Sequence, residues 1–155
     1  MDPLDFDTGA LRYGGGLFGL ATLPGRAAVH VVPVPFDATT SYHAGAAAGP
    51  ETVRVASRQI DLHDREFGDP WRAGIALLEA PAAFRDWNAR ARAAAERVRA
   101  ARWAGREPDR ADFETVDGIG AEVNGWVEAT VTGALAGGRL CGTLGGDHSV
   151  AYGAI

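Results

Sequence analysis

The chain has 155 residues, of which 46% are apolar and 23% charged, and a net charge of −5. That size suits one ordinary domain with its own core, and the acidic balance argues against nucleic acid as the main partner. No apolar run reaches the ~18 residues of a membrane span, and the single cysteine, Cys141, excludes an internal disulfide framework.

The amino terminus, Met1-Asp2-Pro3-Leu4-Asp5-Phe6-Asp7, lacks the basic start and apolar stretch of a signal peptide. A cytoplasmic protein is therefore expected. All 15 basic residues are arginines, which leaves no lysine for Schiff-base chemistry. Residues 1–26 read as an amino-terminal arm, with Gly14-Gly15-Gly16 and Pro24-Gly25 and no sustained period. A triple glycine cradles phosphate only at a strand-to-helix turn, and no strand precedes this one, so a flexible arm is expected. Residues 27–155 form the body of the domain.

Residues 28–34, Ala-Val-His-Val-Val-Pro-Val, predict a short buried strand. Pro33 counts against a central position unless it marks a bulge or the strand's end. A long loop rich in Gly, Ala, Ser and Thr follows over residues 35–50. Pro50-Glu51 suits the first turn of a short helix reaching Arg58. Ile60, Leu62 and the run 75–78 are candidates for short strands. Phe84, Trp87, Ala91, Ala94, Val98 and Ala101 recur at helical spacing and predict a helix over 82–104. A second helix is expected over 113–136, capped by Asp112 and ended by Gly137-Gly138. Residues 139–144 predict another strand. Strand, helices and strand together imply a crossover unit, hence an α/β fold with a parallel sheet.

Leu144-Gly145-Gly146-Asp147-His148-Ser149-Val150 follows the last strand directly. Ligands in open parallel sheets bind beyond the carboxyl ends of strands. Glycines there admit close backbone approach, His148 offers a neutral imidazole to a metal, and Asp147 supplies an adjacent carboxylate. On the residues alone one histidine is not a metal site, and a histidine satisfied by hydrogen bonds at a strand end is the competing reading. Asp61-Leu62-His63-Asp64 has the wrong spacing for a metal site and reads as a polar loop. Asp37 reads as a loop-fixing aspartate, Cys141 as a small buried hydrophobe, Trp87 and Trp126 as core, and the arginines between Arg85 and Arg110 as a solvated helix face. A nucleotide-binding α/β domain rests on glycines alone, without Gly-x-Gly-x-x-Gly after the first strand.

The segment from Leu144 to Gly153 resembles the first metal-binding motif of the ureohydrolase (arginase/agmatinase) family: Gly-Gly-Asp-His-Ser, an aliphatic residue, a small residue and, two places later, Gly. Residues 34–42 (Val-Pro-Phe-Asp-Ala-Thr-Thr-Ser-Tyr), the 45–51 loop, residues 56–61 and residues 122–127 resemble the agmatinase-like branch. The resemblance implies a three-layer α/β/α sandwich around a parallel sheet, present here as its amino-terminal part. It also implies hydrolysis of a small guanidino compound to urea and an amine, by a hydroxide bridging two manganese ions (Mn2+). His148 is the implied ligand to one of them, and Asp147 stands behind it, beside the metal rather than on it. Tyr42 and His43, in the loop after the first strand, are candidate substrate contacts, against the reading of a solvent-facing loop. A homo-oligomer, trimer or hexamer, is implied as well. The family's further ligands come from Asp-Ala-His-any-Asp and Asp-any-Asp segments, and neither follows His148 in this sequence. The 155 residues therefore read as part of a longer enzyme, or as one of two complementing chains, inactive alone. The alternative is a non-catalytic subunit with an incomplete metal site.

Overall fold

The computed structural model describes residues 14–155. Among these residues three strands form one sheet in the order β2-β1-β3, with β1 at Val29–Val34, β2 at Ile75–Leu77 and β3 at Leu140–Gly145. Both pairings are parallel: Val29 to Val31 face Ile75 to Leu77, and Val29 to Val34 face Leu140 to Gly145. Among the described residues the three α-helices are α1 (Gly49–Ala56), α2 (Phe84–Trp103) and α3 (Arg110–Ala136). The connection from β1 to β2 carries α1, and that from β2 to β3 carries α2 and α3, as parallel neighbours require. The expected α/β class with a parallel sheet is what the chain adopts.

β1 holds the central position despite Pro33. Residues alternate their backbone groups between the two neighbouring strands. Leu78 donates to the Val31 carbonyl and Val29 donates to the Gly74 carbonyl, so odd-numbered residues of β1 face β2, whereas Leu140 donates to the Ala28 carbonyl on the β3 side. Pro33 therefore directs its missing donor toward β2, whose pairing with β1 has already ended at Leu77. No ladder bond is lost.

The core lies where Val32, Val34 and Phe36 meet α2 and α3. These three are at most 2% exposed, and Phe84, Ala91, Ile119, Val123, Val127 and Val131 pack against them. Phe84 meets Trp87 and Trp126 edge-on, with ring centroids 5.2 and 5.1 Å apart, a favoured aromatic geometry. The core role expected for Trp87 and Trp126 takes the form of half-burial at the cluster's margin.

Four details differ from the sequence expectation. Asp109, not Asp112, caps α3, accepting from the Ala111 amide at 2.9 Å. Asp112 lies inside the first helical turn and pairs with Arg97 at 2.6 Å. The helix expected from Pro50 to Arg58 ends as an α-helix at Ala56, and Ser57–Gln59 tighten into a 3-10 turn. Residues 60 and 62 are in no strand, although Leu62 is buried with Leu20 and Trp71 in a small second cluster. Finally, the expected flexible arm is packed in its described part. Residues 14–26 form two 3-10 turns, Leu17–Gly19 and Pro24–Arg26, and Leu17, Gly19 and Leu20 are buried. Residues 1–13 of the arm lie outside the described residues.

Replacing Phe84 by Ala empties the centre of the α2–α3 contact. Such truncations cost about 3–5 kcal/mol, and urea denaturation of the Phe84→Ala variant is expected to show a loss in that range with an unchanged m-value.

Candidate functional site

β1 and β3 run parallel and in register, so their carboxyl ends open at the same place. After β3 the chain bends at Gly146-Asp147, and after β1 it runs through Pro35-Phe36-Asp37 into a turn at Ala38-Thr39. Backbone bonds hold these two exits together: the Gly146 amide donates to the Val34 carbonyl at 3.2 Å, and the Asp147 amide donates to the Phe36 carbonyl at 3.0 Å. The approach leaves no room for a side chain at residue 146, where a Cβ would sit 1.6 Å from the Phe36 carbonyl oxygen. Gly153 is as restricted, its would-be Cβ lying 2.4 Å from the Asn124 carbonyl oxygen. The glycines of the motif are thus packing requirements.

Asp147 caps a 3-10 helix over His148–Ala154. Its Oδ1 accepts from the Ser149 amide at 3.0 Å and from the Ser149 hydroxyl. Its Oδ2 accepts from the Thr39 amide at 2.9 Å and from the Thr39 hydroxyl at 2.6 Å. One carboxylate therefore orders the motif turn and ties it to the loop after β1. Val150 is buried in the main core and fixes the far side of the turn against α3. His148, between these anchors, is exposed.

The loop after β1 is held by Asp37, whose side chain is only 2% exposed. Its Oδ2 accepts from the Gly45 amide at 2.7 Å and the Ala47 amide at 3.1 Å. Its Oδ1 accepts from Asn88 at 3.0 Å and from Arg92 at 2.6 Å. Asn88 returns a bond, accepting from the Asp37 amide at 2.8 Å. Burial alone pushes this carboxyl's pKa up, but the bonds from Arg92, Ala47, Asn88 and Gly45 outweigh it and hold the group well below the usual carboxylate range.

Thr39, Thr40, Ser41, Tyr42 and His43 line one open cavity of about 410 Å³ together with Asp147, His148 and Ser149. Every candidate site residue in the sequence thus meets at one place. Tyr42 and His43 are exposed and contact each other edge to face, with ring centroids 4.1 Å apart. Thr39, Asn88, Arg92 and Arg99 support this site and were not singled out from the sequence. The signal was the spacing of Asn88, Arg92 and Arg99 along one face of a helix, which reads equally well as solvated surface. Asp61-Leu62-His63-Asp64 stays apart from the cavity: His63 pairs with Asp69 at 3.2 Å, exposed to solvent. Cys141 is half-buried against the core, and burial raises its thiol pKa, as befits an inert side chain.

A family model described as "Arginase family" matches residues 27–155. The chain belongs to the arginase family. Among curated relatives of this arginase-family chain is the N(1)-aminopropylagmatine ureohydrolase of Synechocystis sp. (strain ATCC 27184 / PCC 6803 / Kazusa), 55% identical over 42 residues. That match covers 27% of this chain and 14% of the relative. No solved structure matches the chain. The parallel strands and their helices are an arginase-like α/β arrangement.

Family members are generally metal-dependent, and the donor set here fits a metal at one position only. His148 offers an imidazole to the cavity. Among the described residues no group of three His, Cys, Asp or Glu side chains is close enough to hold an ion. Asp147, the nearest carboxylate in sequence, spends both oxygens on Thr39 and Ser149.

Because the folded-state pKa of Asp37 is lowered, its ionised form stabilises the fold above the ordinary value of 3.8, and that stabilisation fades as pH falls below it. Urea denaturation between pH 7 and pH 3 is expected to show an acid loss of stability that is shallower in Asp37→Asn. At pH 7, Asp37→Ala is expected to cost about 3 kcal/mol, since it leaves the mostly buried Arg92 without its partner.

Proposed function

We propose that this chain forms part of a manganese-dependent ureohydrolase that converts a small guanidino compound of the agmatine type to urea and an amine. The observation that carries this reading is the meeting of the Gly-Gly-Asp-His-Ser turn and the Thr39–His43 loop at one open cavity, beyond the carboxyl ends of two parallel strands. Membership of the arginase family and the ureohydrolase relative support it.

His148 is the metal ligand in this proposal. It is held in place by the Asp147 cap before it and the buried Val150 after it. Asp147 contributes by fixing the turn and its distance from Thr39. Tyr42 and His43 form the wall that the guanidino compound meets. Divalent manganese would supply Lewis acidity and lower the pKa of water when bound. The remaining donors come from outside the described residues, whether from a further segment or from another chain. In support, among the described residues β3 has a neighbour on one side only, and Leu140 at its start is 70% exposed. No helix of the described residues is long and apolar enough to cross a membrane. The proposal places the enzyme in the cytoplasm as a homo-oligomer, a trimer or hexamer, with no nucleic-acid partner.

A second reading, a non-catalytic subunit with an incomplete metal site, is favoured by the absence of a three-donor group among the described residues. Metal content separates the two. The native protein that carries these residues is expected to hold close to two manganese ions per site and to release urea from agmatine or a related guanidino compound. His148→Ala is expected to lose one ion and to lower activity by more than about a hundredfold, since even residues behind a ligand cost 10–100-fold. Native protein without metal or urea release would support the non-catalytic reading. Unchanged metal content in His148→Ala would remove His148 from the site.

A further inference from the structure

We propose that Asp37 is a positioning residue for the His148 cavity. Together with Asn88, Arg92 and Arg99 it clamps both feet of the loop that carries Tyr42 and His43. The proposal deepens the ureohydrolase reading and rests on it for the identity of the cavity.

The geometry of the loop carries the inference. Its downstream foot hangs on the Asp37 side chain through the Gly45 and Ala47 amides. Its upstream foot hangs on the Asp37 main chain: the Thr40 amide and hydroxyl donate to the Asp37 carbonyl at 3.3 and 3.1 Å. Arg92 donates to that same carbonyl and to the carboxylate, and reaches the Thr40 hydroxyl at 3.3 Å. Arg99, two helical turns further along α2, donates to the Thr40 carbonyl at 2.9 Å. Asn88 closes a two-point bond with Asp37. One buried residue thus joins the beginning and the end of the loop, and the exposed tip, residues 41–44, springs from a closed base. Thr39, between Asp37 and the tip, is gripped by Asp147, the residue that also caps the His148 turn. Asp37 therefore acts on the cavity through Thr39 and Thr40, and the spacing of Tyr42 and His43 from His148 follows from it.

Gly45 has φ +126°, a conformation that L side chains rarely adopt, and it makes no close contact that would explain a glycine there by space. This backbone turn lets the Gly45 and Ala47 amides point together at one carboxylate oxygen.

The test uses the native protein that carries these residues, isotopically labelled, with Mn2+ alone as the paramagnetic probe, and reads nuclear-resonance broadening and amide exchange. In the native protein, broadening is expected at His148 and also at Tyr42 and His43. In Asp37→Asn, core amides of β1 and β3 and the broadening at His148 are expected to stay as they were. The Tyr42 and His43 broadening falls several-fold, and the Gly45 and Ala47 amides exchange at least about tenfold faster. A merely stabilising role would leave the distance of the tip from His148 unchanged in the folded variant, and that result overturns the proposal. Should Asp37→Asn fail to fold, Asn88→Ala decides: it removes the two-point bond to Asp37, and unchanged broadening at Tyr42 and His43 with unchanged exchange at Gly45 and Ala47 overturns the proposal equally. Absence of broadening at His148 in the native protein sinks the metal reading instead. Amide exchange at Gly45 and Ala47 in Asp37→Asn then decides the clamp alone, faster exchange supporting it and unchanged exchange overturning it.

Discussion

The structure around the cavity depends on one ionised carboxylate placed out of water. Asp37 is 2% exposed, and an unpaired carboxylate there would be prohibitively expensive. It is tolerated because Arg92 neutralises it and four donors, two of them backbone amides, occupy its oxygens. Those donors come from two different places, the loop after β1 and the second turn and beyond of α2. Satisfying the charge and shaping the loop are therefore one event. A loop of this composition, with several glycines and alanines between residues 44 and 49, has little side-chain packing of its own to order it. Its order comes from the desolvated pair beneath.

A second constraint acts at the other side of the cavity. Gly145 and Gly146 allow the chain leaving β3 to lie directly on the chain leaving β1, closer than any Cβ permits. That contact brings Asp147 to Thr39 and sets His148 at the mouth. Here a single carboxylate again bridges two segments, residue 39 and residue 149, more than a hundred positions apart. Two aspartates, one buried and one at a turn, thus convert two loops into one surface. The core residues Val32, Val34 and Phe36 lead straight into this region, so its placement is as firm as the sheet.

Much of this was legible in the sequence, for reasons that differ by element. The interiors of α2 and α3 announced themselves because their apolar residues follow the helical period. The start of α3 did not, because Asp109 and Asp112 are both competent caps and the first apolar residue, Phe113, follows the second. Pro33 argued against a central strand because a sequence does not reveal where the neighbouring strand stops. The motif residues, by contrast, were legible only as a pattern: chemically, one histidine after two glycines has no unique meaning. Arg92 and Arg99 escaped notice because α2 carries many arginines, and Arg90 and Arg97 do what surface arginines do, pairing with Asp86 and Asp112. Which arginine turns inward depends on where the loop after β1 lies, and that is a tertiary fact. Residues 14–26 were misjudged for a similar reason, since Leu17 and Leu20 find their partners only in the folded chain.

The central claim is that the His148 turn and the loop clasped to it belong to a metal site. Anomalous diffraction at the manganese edge, from crystals of the protein carrying these residues grown with Mn2+, tests it most directly. The account predicts a peak in bonding contact with an imidazole nitrogen of His148, at the cavity bounded by Tyr42 and His43. Manganese bound only elsewhere, or a His148 ring left facing solvent in manganese-saturated crystals, would contradict it.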